Sequence, residues 1–245
     1  MFKALASRVT WPARERWFVG LAVALVVFLG SGCAWFGRRP APADTQAVRE
    51  SELHALPIAP DVDYAGALDL GDGRKLYHSG RDLLYAEGDQ FYPVVVRGYP
   101  HLVGPSPGGE AVAFLEPFEF EMATDLYVFD IPARTLRRLT DHHDHGSTLS
   151  IKAARWFDDR TLYYLEGYRY GTVSRGGDLW RVDLTSLERR PVVRVMGLGA
   201  ELEEIVGFEF VPHHKLIRYV VARYDQSGAM RRKSLYCTLD GEPVD

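Results

Sequence analysis

Residues 111–140 read AVAFLEPFEFEMATDLYVFDIPARTLRRLT, and this stretch decides the fold. It holds three short runs, 111–115, 125–130 and 135–140, rich in apolar, β-branched and aromatic residues. Such runs, about four to eight residues long and bounded by turn residues, are typical of β-strands. The pattern continues from Asp61 to the end of the chain with little helical periodicity, so the sequence predicts an all-β domain over 61–245.

Two elements of this stretch recur along the chain. The first is a turn leading into an apolar strand, found at 106–114, 157–165 and 211–219. The second is a strand built around a leucine and an aromatic residue, found at 125–130, 178–183 and 234–239. Its leucines are 53 and 56 residues apart, and a weaker first copy lies at 82–85. Repeats of about 40 to 50 residues with four strands each form propeller blades. The sequence therefore predicts a propeller-like array of about four four-stranded blades, either a closed small ring or a partial propeller.

The repeat at 106–140 resembles the TolB-type propeller repeat. The matching segments are the turn Ser106-Pro107-Gly108-Gly109, the strand Asp125-Leu126-Tyr127-Val128-Phe129-Asp130 and the ending Arg137-Arg138-Leu139-Thr140. Residues 156–195 match it less fully, and the resemblance covers about 62–245. It implies a blade fold but no particular ligand. Four copies are fewer than the six usual in that family. The expected forms are therefore a four-bladed ring, an open partial propeller with unpaired strand edges, or a piece that completes itself by association.

The fourth repeat is expected to need help at its edge. Only 242–245 follow its turn at Gly241, which predicts that its outermost strand is missing. We expect the segment from Glu52 to Ala59 to supply that strand by pairing near 235–239. Pro57 would restrict this segment to an edge position.

The N-terminal segment has the two regions of an export signal. Its basic region contains Lys3, Arg8, Arg14 and Arg16. A run of 13 uncharged residues, Trp17 to Leu29, follows. A basic region before an apolar run of this length is typical of a signal peptide, here assigned to 1–32.

The end of that segment, Leu29-Gly30-Ser31-Gly32-Cys33, resembles the lipobox of bacterial lipoproteins, with the leucine one position earlier than usual. The resemblance implies cleavage before Cys33 and lipidation of its thiol. Ala34 follows Cys33 where an aspartate would retain the protein in the inner membrane, so the resemblance favours the outer membrane in a cell with two membranes.

An uncleaved membrane anchor is the alternative for this segment. Trp17 to Phe36 is an unbroken run of 20 uncharged residues, long enough to cross a bilayer as a helix. Both interpretations place the rest of the chain in the periplasm or at the cell exterior. The Pro- and Ala-containing stretch at 33–60 is predicted to be the tether between the membrane and the domain.

The net charge argues against nucleic-acid binding, and the cysteine content argues against a disulfide-stabilised fold. The formal net charge is −4, and because the first 32 residues contribute +3, the remainder is at −7. An acidic body does not favour nucleic-acid binding. The two cysteines, Cys33 and Cys237, lie in different contexts, which does not indicate a disulfide framework. Cys237 is predicted to be buried in a strand.

The blade-to-blade connections and the loops between second and third strands share one face of a propeller. The candidates for binding on that face are aromatic and basic side chains: Phe118, Phe120, Tyr168, Arg169, Tyr170, Tyr224 and Arg231. Aromatic residues and arginine dominate contact energies at interfaces. We therefore interpret the chain as a binding module or scaffold for an envelope protein or polymer, with no cofactor.

The segment 141–145, Asp-His-His-Asp-His, is the sharpest chemical pattern. Imidazole and carboxylate groups bind Zn²⁺ and other divalent transition metals, and the candidate ligands are Asp141, His143 and His145. Adjacent histidines point apart, so one loop supplies few ligands, and a solvated loop is the structural alternative. A metal would make the competing function a metal-assisted hydrolase or a glycan-active propeller enzyme.

Other candidate motifs carry no predicted chemistry. Residues 104–108 match Gly-x-Ser-x-Gly, but a strand follows where a nucleophile elbow needs a helix. The paired carboxylates at 158–159 and 203–204 are interpreted as turn or solvated residues. No catalytic residue is predicted.

Overall fold

The computed structural model describes residues 49–56, 64, 66–119, 121–143, 147–170, 175–196, 202–225 and 229–244. These residues contain no helix and form four antiparallel sheets, three with four strands and one with five. The prediction of an all-β array of four four-stranded blades is confirmed. The signal segment, Cys33 and most of the tether lie outside the described residues. Within the described ranges, no helix is long and apolar enough to cross a membrane.

The sheets follow one another along the chain, and we number their blades one to four. Strand β1 spans Arg49–Glu52. Blade one contains β2 (Gly66–Gly71), β3 (Arg74–His78), β4 (Leu83–Glu87) and β5 (Gln90–Val95). Blade two contains β6 (His101–Pro105), β7 (Ala111–Glu116), β8 (Asp125–Asp130) and β9 (Thr135–Arg138). Blade three contains β10 (Leu149–Asp158), β11 (Thr161–Tyr168), β12 (Asp178–Asp183) and β13 (Arg189–Val193). Blade four contains β14 (Leu202–Val211), β15 (Leu216–Tyr224), β16 (Met230–Thr238) and β17 (Pro243–Val244).

The repeat read from the sequence corresponds to the second and third strands of blades two, three and four. The predicted apolar strands are the second strands β7, β11 and β15, and the leucine-aromatic strands are the third strands β8, β12 and β16. Residues 104–108 run from the end of β6 into the turn before β7. A strand and not a helix follows the motif, which agrees with its rejection as a nucleophile elbow. The expectation that blade four lacks a fourth strand is wrong, because the two-residue strand β17 pairs with Tyr236 and Cys237.

The hydrophobic core lies between the blades in three clusters. The first joins blades one and two, the second joins blades two and three, and the third joins blades three and four. Alternate residues of β7 belong to different clusters, since Val112 and Phe114 face blade one whereas Ala113 and Leu115 face blade three. This two-sided burial explains why the second strands of the middle blades are continuous apolar runs. Within the described part of the chain, each of these clusters joins two consecutive blades.

Strand β1 pairs with a different blade from the one expected. It forms a fifth strand on the outer edge of blade two, antiparallel to β9 with Ser51 opposite Leu136. The chain then crosses to blade one, where the Leu56 amide donates to the Phe91 carbonyl at 2.6 Å. The expected pairing of Glu52 to Ala59 with 235–239 is therefore wrong. The pairing with β9 is supported by an ion pair, because the Arg137 guanidinium contacts Glu50 at 3.4 Å. The edge of β16, where pairing was expected, carries three exposed basic residues.

An aspartate at the start of the third strand closes each of the first three blades. Asp82 Oδ1 accepts a hydrogen bond from the Arg97 amide at 2.8 Å. Asp125 Oδ1 accepts one from the His142 amide at 2.6 Å, and Asp178 Oδ1 accepts one from the Val195 amide at 2.8 Å. Each carboxylate thus holds the connection that leaves the blade, which fixes where the loops of the next blade begin.

Candidate binding surface

The loop between β7 and β8 is held in place by the neighbouring blade. Thr124 donates from its hydroxyl to the Pro117 carbonyl at 2.7 Å and from its amide to Ser150 Oγ at 3.1 Å. The Ile151 amide of β10 donates in turn to the Thr124 carbonyl at 3.0 Å. Because Thr124 and Ser150 are both buried, these bonds are shielded from water and fix the loop firmly.

Phe118 projects from this loop and remains 43% exposed. Its ring stacks on the His101 ring with centroids 4.4 Å apart, and its amide donates to the Tyr99 carbonyl at 2.9 Å. The aromatic side chain is therefore oriented by blade two and by the connection that enters it. Phe120, predicted for the same surface, lies outside the described residues.

Tyr168, expected in a loop, is the last residue of β11 on blade three, and Arg169 and Tyr170 follow it. Both tyrosines are exposed, by 41% and 55%. Arg169 bridges the two blades, since its Nε donates to the Glu121 carbonyl of the blade-two loop at 2.7 Å. Its guanidinium also lies over the Tyr170 ring, 4.8 Å from the centroid. The structure thus joins the loop that carries Phe118 to the segment 168–170, and we call Phe118, Tyr168, Arg169 and Tyr170 the aromatic surface.

Tyr224 and Arg231 occupy blade four. The Tyr224 hydroxyl donates to Glu204 Oε1 at 3.0 Å, and burial together with that carboxylate raises the pKa of Tyr224. Arg231 lies within β16, opposite Arg223 of β15, and not in a loop. Among the contacts of the described residues, none links either side chain to the aromatic surface.

Glu204 was expected on a solvated face, and this expectation is wrong. Its side chain is almost fully buried at 1% exposure. Its carboxylate accepts hydrogen bonds from the amides of Arg175 and Gly176 at 3.0 and 3.1 Å, besides that from Tyr224. Glu204 occupies the position on β14 that Ser150 occupies on β10, and it holds the β11–β12 loop in the way that Ser150 holds the β7–β8 loop.

The segment proposed to bind metal is only partly described, because His145 lies outside the described residues. Asp141 Oδ1 lies 2.6 Å from an Arg138 guanidinium nitrogen, which neutralises the carboxylate. The His143 amide donates to Asp125 Oδ2 at 3.2 Å, which anchors the backbone of this segment. Within the described ranges there is no group of three or more His, Cys, Asp or Glu side chains that could hold a metal ion.

The neighbouring His142 belongs to a buried network that the sequence did not indicate. Its Nε2 donates to Glu166 Oε1 at 2.9 Å, and Arg189 donates to the same oxygen at 2.8 Å and to the Tyr164 hydroxyl at 2.8 Å. Burial opposes ionisation of Glu166, but the hydrogen bond from His142 and the charge of Arg189 outweigh it and keep the pKa of Glu166 below its ordinary value. Burial raises the pKa of Tyr164. The network ties the connection after blade two to blade three.

A groove of about 570 Å³ runs along the inner strands β6, β10 and β14. Its walls include His101, Lys152, Trp156 and Phe210. The Trp156 indole donates to the Gly104 carbonyl at 2.9 Å, so this ring joins two blades. Burial lowers the pKa of Lys152, although the charge of Glu204 opposes this.

No family model and no curated protein matches the chain. Among solved structures, a Clostridium novyi protein described as a conserved lipoprotein is 18% identical, with a TM-score of 0.48 over 56% of this chain and 85% of that one. A prolyl endopeptidase structure is 12% identical, with a TM-score of 0.49 over 71% of this chain and 26% of that one. An oligogalacturonate lyase from Vibrio parahaemolyticus is 15% identical, with a TM-score of 0.46 over 71% of this chain and 49% of that one. The chain thus spans about a quarter of the prolyl endopeptidase and about half of the lyase.

Proposed function

We propose that this chain is an exported, lipid-anchored binding protein of the cell envelope that presents the aromatic surface to an envelope protein or polymer. The observation that carries the proposal is the bridge from Arg169 to the Glu121 carbonyl, which joins loops of two blades and leaves three aromatic rings exposed beside it. Packing of the hydrophobic core does not explain why aromatic side chains occupy these exposed positions. Tyrosine and arginine are also enriched among the residues that contribute most at interfaces.

The aromatic surface suits recognition because its loops are already ordered. Thr124 and Ser150 hold one loop, and the Arg169 amide donates to the Thr148 carbonyl at 2.7 Å beside the other. Side chains that are positioned before binding lose less conformational entropy when a partner binds. A partner would meet two or three rings and one guanidinium in a fixed arrangement.

No contact among the described residues favours the enzyme alternative. A metal-assisted hydrolase or glycan-active enzyme would depend on 141–145, where Asp141 is paired with Arg138. The Glu166 carboxylate, which has the acid-base chemistry of a catalytic group, is buried and engaged by His142 and Arg189. We therefore propose recognition, and no catalytic role, for this face.

Two finer parts of the proposal rest on the sequence. The signal-like segment before Cys33 supports the lipid anchor, and the repeat at 106–140 supports a TolB-like blade. Cells that express the full chain should incorporate radiolabelled palmitate into the wild-type protein and not into the Cys33→Ser variant. Equal labelling of both proteins would overturn lipid attachment at Cys33, and membrane fractionation of the unlabelled variant would then test the uncleaved anchor.

The aromatic surface can be tested by photo-crosslinking in the native envelope. A benzoylphenylalanine placed at Tyr168 or at Tyr170 should form discrete adducts with a partner. The matched control is the same replacement at His214, which is exposed in the turn between β14 and β15 of blade four. Adducts should disappear when Arg169→Ser is added. The same adduct pattern at all three positions, or none at 168 and 170, would contradict the proposed surface.

A further inference from the structure

Blade four has an incompletely paired outer edge. Strand β16 pairs with β15 along all nine of its residues, but β17 covers only Tyr236 and Cys237. The outermost strands of the other blades have six, four and five residues. Within the described part of the chain, nothing pairs with the outer edge of β16 from Met230 to Leu235.

The backbone groups on this edge can be assigned from the pairing. The Thr238 amide donates outward to the Glu242 carbonyl at 2.9 Å, and β16 contains no bulge in its register with β15. Since successive residues of a strand point their amides to opposite edges, the N–H and C=O groups of Arg232 and Ser234 also point outward. They form a ready template for one more antiparallel strand.

The side chains on this edge are strongly basic. Arg231, Arg232 and Lys233 are consecutive and exposed. No ion pair engages any of the three among the described residues. The adjacent strand is different, because Arg223 pairs with Glu203 and Arg218 pairs with Glu209 at 2.9 Å. Among the described residues, no ion pair therefore neutralises the positive charge of this edge, in a domain whose overall charge is negative.

We propose that blade four binds an acidic, extended segment of a partner protein, which adds to β16 as an antiparallel strand. The outward backbone groups of Arg232 and Ser234 would pair with the segment, and carboxylates would lie opposite the three basic side chains. A second copy of this edge would place like charges across the new pair, which is unfavourable, so the charge favours an acidic partner over self-pairing. Met230 and Tyr236, 44% and 42% exposed, lie at the two ends of the edge on the same side as Arg232 and leave room for apolar residues that flank the carboxylates.

This surface is distinct from the aromatic surface, and the inference does not depend on the proposed function. The two surfaces lie on different blades, and neither test uses a variant of the other. One can fail while the other stands.

The test uses the full-length protein in detergent and a fluorescein-labelled six-residue peptide of sequence valine, threonine, three glutamates and valine. We expect saturable binding by fluorescence anisotropy at physiological salt, and none for the peptide with lysines in place of the glutamates. Two further peptides carry N-methyl groups on alternate amides, one on the second and fourth residues and the other on the third and fifth. Exactly one of these two should bind at least about tenfold more weakly, because only one set of amides faces the strand.

Protein variants supply a second measurement. Changing Arg231, Arg232 and Lys233 to serine should abolish binding of the acidic peptide, whereas Arg155→Ser with Arg160→Ser, exposed basic residues of blade three, should not. Ser234→Pro removes an outward amide and should weaken binding while leaving the pairing with β15 intact. Equal binding of both N-methylated peptides would overturn strand addition. Dimerisation of the protein without peptide that Ser234→Pro abolishes would show self-pairing through this edge and would also overturn the proposal.

Discussion

The pairing of β1 with β9 should help to hold residues 49–56 against the outer edges of blades one and two. Proline substitutions in β1 can measure how much this pairing contributes to the attachment. The Leu53 amide donates to the Arg134 carbonyl at 2.9 Å. By strand alternation, the Ser51 amide therefore also faces β9, opposite Leu136, while the Glu52 amide points to solvent. Ser51→Pro removes a ladder hydrogen bond, whereas Glu52→Pro places a proline where an edge strand tolerates it.

The magnitude follows from one hydrogen bond. A typical intramolecular hydrogen bond contributes about 0.5–1.5 kcal/mol net, so Ser51→Pro should weaken local attachment by about 1 kcal/mol. That is about a fivefold increase in the population of the detached strand. Leu53 packs against the cluster between blades one and two, so the detached state also loses apolar contact and remains a minority in the wild type.

Native-state hydrogen exchange of the full-length protein is the appropriate assay. The Leu53 and Leu56 amides should exchange about fivefold faster in Ser51→Pro than in the wild type, and the Glu52→Pro protein should match the wild type. The Val112 amide, in the core strand β7, serves as an internal control and should not change in either variant. Equal acceleration in both variants, or in neither, would refute the assigned register and the role of the ladder bond.

Three further predictions concern buried groups. Asp125→Ala leaves the buried His142 amide without its acceptor and should lower the free energy of unfolding by about 3 kcal/mol. Asp130→Ala, at the half-buried end of the same strand, removes only a solvent-exposed hydrogen bond to the Ala133 amide and should cost under about 1 kcal/mol. Equal effects in urea unfolding would contradict the closing role of Asp125. Because the pKa of Glu166 is lowered in the folded state, its stabilising contribution is present above its ordinary value of 4.5 and is lost as the pH falls through the folded-state value. Glu166→Gln should therefore flatten the acid side of the stability-pH curve, and an unchanged slope would show that the ionised network is not stabilising. Cys237 is fully buried and burial raises its pKa to about 11. In the Cys33→Ser protein, a thiol reagent at pH 8 should therefore modify Cys237 only after denaturation, and rapid labelling of this folded variant would contradict the placement of Cys237.

The positions of the strands could be predicted because local alternation determines them. The runs at 125–130 and 178–183 coincide with β8 and β12 residue for residue. The partner of β1 could not be predicted in this way, because β9 and β16 both have an outer edge whose backbone groups are available to an extended segment. The choice depends on the contact of Glu50 with Arg137 and on the packing of Leu53, which bring together residues far apart in the chain.

The repeat located part of the candidate site, but it did not reveal the contacts between residues that lie far apart in the chain. The spacing of the repeat placed Phe118 and Tyr168 near loops on adjacent blades. It gave no sign that Glu204 is buried, since the two backbone amides that donate to this carboxylate lie 28 and 29 residues earlier. The closing aspartates did leave a signal. An aspartate precedes the leucine at 82, 125 and 178, and Ser234 replaces it in the fourth repeat, whose edge is the least covered.

The alternation of β7 and β11 between neighbouring core clusters makes the stability of each blade a property of its neighbours. Among the described residues, each middle blade shares two clusters, while blades one and four share one each. Stability then resembles a sum of terms for each blade and each interface between neighbours, as in a linear chain of coupled units. A large-to-small substitution at Tyr164, on the interface between blades two and three, divides the coupled chain in the middle, while the same change at Leu76 weakens only its end. The array should therefore open from its ends inward, with the middle blades exchanging their amide hydrogens last.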